Sequence, residues 1–197
     1  MITASGLDPA QTDKIQTLVQ NYPASTQAFM TELLWEREMI VTRMNAKAVA
    51  EWAHSSYHDL VINLGRGPLV APITTDDVLG VREERQCYLN CYEAVLEYPG
   101  YTYVEGLALA QWALVRHAWL EDENGRIIDP TWVNLDVPGS VATYFGVRFA
   151  SDFLLRHVAT TGWHSFFEAD WMNGYQVLKR GLKINDAGFA YDLGDPR

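Results

Sequence analysis

Apolar residues recur at helical spacing through the first third of the chain and alternate at strand spacing through its middle, so two structural regimes follow one another. Residues 8–22 read as a short helix, with Ile15, Leu18 and Val19 on one side and Pro23 ending it. Ser25 or Thr26 suits the cap of a second helix. Along it Met30, Leu33, Leu34, Ile40, Val41, Met44, Ala48 and Trp52 recur to about residue 53. The charged stretch Glu36-Arg37-Glu38 interrupts this stripe and predicts a bend or a break. Leu60-Val61-Ile62 reads as a short strand. Between Gly65 and Gly80, three glycines and two prolines predict a long loop or linker.

Beyond that stretch the period changes. A helix over residues 86–97 ends at Pro99-Gly100, and strands follow at about 101–109, 113–121, 126–129 and 144–149. Ser151 can cap a helix to about His157 that Gly162 closes, another short helix fits residues 164–173, and the tail after Gly181 is weakly patterned. The layout is α+β: an antiparallel sheet against one helix, preceded by a helical region. The corresponding divisions are a helical part at 1–64, a linker at 65–80 and an α+β core at 81–197, with one continuous domain as the alternative.

Three residues give the pattern a chemical meaning. Cys87 opens the predicted helix, where free N–H groups and the positive dipole end stabilise a thiolate and can later hold an oxyanion. Cys91, a turn deeper, is expected to pack as a small hydrophobe. His117 lies on the strand Arg116-His117-Ala118-Trp119-Leu120, and Asp129 lies on the next, Ile127-Ile128-Asp129-Pro130-Thr131-Trp132. Nucleophile, base and orienting carboxylate are the roles covalent catalysis needs. The turn decides whether they meet. A two-residue Asn124-Gly125 loop sends Asp129 to the sheet face opposite His117. A three-residue Glu123-Asn124-Gly125 loop with left-handed Gly125 pairs Trp119 with Asp129 and puts both groups on one face. Both turns suit the sequence.

Cysteine at a helix start, then His117-Ala118-Trp119-Leu120-Glu121, then a turn and Asp129-Pro130-Thr131-Trp132, resembles the transglutaminase-like core of the papain-like cysteine enzymes over residues 84–150. The resemblance implies amide chemistry through a thioester: peptidase, deamidase or acyl transfer to an amine. Gln86 is then the side-chain candidate for the oxyanion, beside the Cys87 backbone N–H. Glu105, in the otherwise apolar Tyr103-Val104-Glu105-Gly106-Leu107, needs a partner if buried, and is a candidate either for substrate binding or for a structural pair. Trp119 and Trp132 are candidate groove residues. Hydrolysis is preferred to cross-linking because no amine-acceptor site is visible.

Composition narrows the alternatives. An apolar content of 48% with 20% charged residues belongs to a folded chain. The net charge of −10, with 15 scattered basic residues, argues against nucleic acid as a partner. Protein, peptide or small amide substrates are expected instead. No membrane span or secretory start is visible, and the two cysteines make no disulfide framework, so a reducing compartment, the cytosol, is expected. No cofactor is implied. His54 and His58 have one-turn spacing but lack the glutamate of a zinc helix, so no metal site is expected. The rival functional class is an inert member of the same fold that binds or inhibits a protein, with the aromatic-rich first third as its surface.

Overall fold

The computed structural model describes residues 9–44, 49–75, 77–110, 113–134 and 140–195. Two helices, α1 (Pro9–Val19) and α2 (Ala24–Arg43), open the chain, and α3 (Tyr57–Leu64) follows. Then come β1 (Arg66–Pro72), α4 (Cys87–Glu97), β2 (Thr102–Ala110), β3 (Ala113–Glu121), β4 (Ile127–Ile128) and β5 (Val141–Phe149). The last part holds α5 (Ser151–Thr161), α6 (Gln176–Arg180), β6 (Leu182–Ile184) and β7 (Phe189–Leu193). Ala48 and the start Met1–Gly6, both used in the sequence reading, lie outside the described residues.

The strands form one sheet in the order β4-β3-β2-β5-β7-β6, with β1 also paired to β5. All pairs are antiparallel except β5 with β7. Alternation along the strands sorts the side chains. Tyr103, Leu107, Ala118, Leu120, Phe145, Val147 and Phe149 face a core that also holds Phe29, Met30 and Leu33 of α2, Leu60 and Val61 of α3, and Cys91 and Ala94 of α4. Val104, Ala108, Trp119, Ile127, Ala142 and Tyr144 face a smaller cluster on the other side. The class is α+β. Among the described residues no helix is long and apolar enough to cross a membrane.

Several expectations are corrected. Leu60-Val61-Ile62 lies in α3, not in a strand: the Ser56 hydroxyl accepts from Asp59 N at 3.2 Å, and the cap sets a helix whose Leu60 and Val61 enter the core. A three-residue apolar run has no period of its own, so the cap decides. The stretch Glu36-Arg37-Glu38 does not break α2, which runs unbroken from Ala24 to Arg43. Arg37 pairs with Asp59, and Glu36 lies 3.2 Å from His58, so these charges bind α2 to α3. The supposed linker at 65–80 contains β1, held to β5 from Arg66↔Gly146 to Pro72↔Val141. The first third therefore shares the main core instead of standing apart. Only a 3-10 turn at Asp170–Asn173 forms in 164–173, and the weakly patterned tail supplies β6 and β7.

Candidate active site

The hairpin between β3 and β4 has the three-residue loop. Leu120 pairs Ile128, Glu121 pairs Ile127, and Asp122 N donates to Arg126 O at 3.0 Å. Gly125 has φ of 74°. The Asp122 carboxylate selects this turn: its Oδ1 accepts from Asn124 N and Arg126 N, both at 2.9 Å, a local bridge a two-residue loop cannot use. Asp129 therefore falls on the face of His117, and His117 Nε2 lies 2.8 Å from Asp129 Oδ2.

Asp129 is fully buried and its acceptors are used on both sides. Oδ1 accepts from Thr131 N at 3.1 Å and Trp132 N at 2.9 Å. This explains the Asp-Pro-Thr-Trp run: proline has no N–H, so the carboxylate reaches the next two donors and caps the 3-10 turn Trp132–Asn134. Oδ2 accepts from the Tyr144 hydroxyl at 3.0 Å as well as facing His117. Asp129 N donates to Thr74 O at 2.7 Å, so the segment after β1 also fixes it. The Trp132 ring stacks on His117 with centroids 4.0 Å apart at 14°, which locks the imidazole plane.

Cys87 comes to this pair from α4. Among the described residues β4 pairs only Leu120 and Glu121 of β3, so no strand covers that edge at His117, and α4 packs against β3. Asn90 of α4 donates Nδ2 to Thr131 Oγ1 at 2.9 Å and to Glu83 O at 2.6 Å, and Arg82 N donates to Pro130 O at 2.9 Å. These bonds clamp the start of α4 to the turn that carries Asp129. Cys87 lines the same cleft as His117 and acts on its ring, and with Nε2 committed to Asp129 the ring nitrogen left for the thiol is Nδ1. Burial disfavours charge on this imidazole. The Asp129 charge, the Asp129 hydrogen bond and the Cys87 contact outweigh it and push the group up to about 10. These effects favour the protonated ring. Arg85, two residues before Cys87, has φ of 63°, a left-handed backbone costly for a non-glycine residue and of the kind concentrated at functional turns.

A cleft of about 430 Å³ opens over this cluster, lined among others by Arg85, Cys87, Tyr88, Arg116, His117 and Trp132. The larger cavity near α5, about 540 Å³, lies away from the three residues and contains none of them. The sequence-predicted site residues divide. Cys87, His117, Asp129 and Trp132 come together. Trp119, on the sheet face of His117, does not line the cleft: it is buried in the smaller cluster with its ring against Gly146. Gln86 makes no side-chain cap bond and is not a cleft-lining residue. Glu105 is fully buried in the main core, not a substrate ligand. It accepts from Ser165 Oγ, Phe166 N at 2.8 Å, Phe167 N at 2.7 Å and the Tyr103 hydroxyl at 3.1 Å. Burial pushes it up to about 7 against those four bonds. Cys91 is fully buried, and burial raises its thiol well above the ordinary range.

Sequence reasoning missed Tyr144, Asn90 and Tyr88. Tyr144 reaches Asp129 through the pairing of β5 with β2, and nothing local marks it. Thr131 and Asn90 are visible only as a pair, 41 residues apart in sequence. Among the described residues no cluster of His, Cys, Asp or Glu could hold a metal; His58 is instead paired with Glu36. The known protein families, curated proteins and solved structures give no match to this chain.

Proposed function

We propose that the chain is a thiol enzyme of transglutaminase-like, papain-like type that acts on a carboxamide or peptide bond through a thioester. One observation carries the reading: Cys87, at the start of α4, lines one cleft with an imidazole whose Nε2 is held by the buried Asp129 at 2.8 Å. Cys87 attacks the carbonyl carbon as the thiolate, His117 as imidazolium protonates the departing amine from Nδ1, and a thioester forms. The neutral imidazole then takes a proton from water, which attacks the thioester and releases the acid. Asp129 keeps the ring oriented and stabilises its charge, and Trp132 holds its plane. The reaction class is hydrolysis, deamidation or peptide cleavage, on a protein, a peptide or a small amide.

The test is to offer the native chain a mixed peptide library and to measure both ammonia release and new amino termini, with Cys87→Ser as the blank. Turnover in the native chain that Cys87→Ser abolishes, with the melting temperature retained, supports the reading. Product that forms equally with Cys87→Ser removes it.

A further inference from the structure

Acyl chemistry at Cys87 needs donors for the oxygen that becomes negative when the carbonyl is attacked. The cysteine's own backbone N–H is one: at the first residue of α4 it has no intrahelical acceptor, since the first helical acceptor bond is Asn90 N to Gln86 O. Gln86 does not line the cleft. Tyr88 does. Its hydroxyl is screened from solvent, yet it has no hydrogen-bond partner among the described residues. A buried phenol left without a partner costs free energy, so its retention beside a nucleophile points to a partner that arrives with the substrate. Burial pushes its ionisation far above the ordinary range, and Glu105, Cys87 and Glu168 push the same way, so the oxygen keeps its proton and is available as a donor. Tyr88 follows Cys87 in the first turn of α4, and both residues line the cleft.

We propose that the Tyr88 hydroxyl is the second oxyanion donor and hence a catalytic residue, a role that rests on the thiol-enzyme reading above. When Sγ of Cys87 bonds to the carbonyl carbon, the π pair moves to oxygen. That oxygen accepts from Tyr88 Oη–H and from Cys87 N–H. The pair returns as the carbon–nitrogen bond breaks and His117 protonates the leaving nitrogen. Tyr88 gives up no proton and is unchanged at the end of the step.

Two reactions of the same thiol separate this role from a structural one. Iodoacetamide alkylates sulfur at a saturated carbon and forms no oxyanion, whereas p-nitrophenyl acetate acylates it through one. Both are followed in the native chain and in Tyr88→Phe by mass spectrometry at Cys87. The expected result is acylation slower by roughly 10²-fold in Tyr88→Phe, with the alkylation rate unchanged. Unchanged acylation overturns the role and leaves the thiol reading standing. A parallel fall in both reactions also overturns it, because the hydroxyl would then be positioning the sulfur. If native Cys87 reacts with neither reagent, the thiol-enzyme reading itself falls and takes this role with it.

Discussion

Cys87 and Cys91 sit one turn apart on α4 and differ in what meets the sulfur. Cys87 shares the cleft with His117, while Cys91 is sealed in the core with burial raising its thiol. Iodoacetamide near pH 7 should therefore alkylate native Cys87 at least roughly tenfold faster than Cys91, and His117→Ala should remove most of the difference. Equal rates at the two thiols would contradict the site. Asp129→Asn keeps the acceptor for Thr131 N and Trp132 N but deletes the charge that holds the imidazole up. The His117 ring, followed by NMR, should then titrate well below its native position near 10, and acylation should fall by roughly 10²-fold or more. An unmoved titration would show that Asp129 is not what charges the ring.

At the scale of elements, the β3–β4 turn sets the site. Gly125 needs φ of 74°, and a Cβ there would lie 3.2 Å from the Arg66 guanidinium, the mobile end of a long side chain. Backbone strain is thus the larger penalty. Gly125→Val should cost about 1–2 kcal/mol by chemical denaturation, and Gly125→Asn clearly less, since asparagine tolerates the left-handed region. Equal costs would mean that the turn is not left-handed. The sequence admitted both turns because Asn-Gly suits each. The Asp122 side chain, bonding Asn124 N and Arg126 N, makes the longer one cheaper. The same limit applied to 65–80, where glycine and proline suggested a linker. β1 exists because β5 offers it a partner edge.

On the scale of the whole molecule, Glu105 ties the segment Ser165–Phe167 to the sheet from inside the core. Its folded value, about 7, stands above the ordinary 4.5 of the unfolded chain. Between these values the folded state binds more protons, so stability is greatest below about pH 4.5 from this group and falls as pH rises to about 7, by on the order of 3 kcal/mol. His117 is a base raised from 6.5 to about 10, so its contribution is full below 6.5 and is lost as pH rises through about 10. The two windows separate the groups. Denaturant titrations should show Glu105→Gln flattening the decline between pH 4.5 and 7 and leaving the alkaline one. A decline that persists unchanged would assign it to other groups. The first third is tested at this scale too: Phe29, fully buried against Phe145, joins α2 to the sheet. Phe29→Ala should cost about 3–5 kcal/mol in a single cooperative transition. Two transitions would restore the separate helical part that the sequence suggested.

The sequence by itself determined the α+β class, the helix that begins at Cys87, the β2–β3 hairpin and the three residue types in their order. Each rests on local period, on caps or on short motifs, which act within a few residues. The Asp-Pro-Thr-Trp run even carries its own cap. Tertiary structure decided the rest. The sequence offered Glu105 as a substrate ligand or as a structural partner, and donors from 60 to 62 residues away made it a partner. Trp119 became core because Gly146 on the far side of β2 leaves room for its ring. Tyr144 reached Asp129 only when β5 closed on β2, and Asn90 reached Thr131 only when α4 docked on the open edge of β3. Such contacts join positions far apart in sequence, and no local period records which of them will meet, because the choice is made by the packing of whole faces.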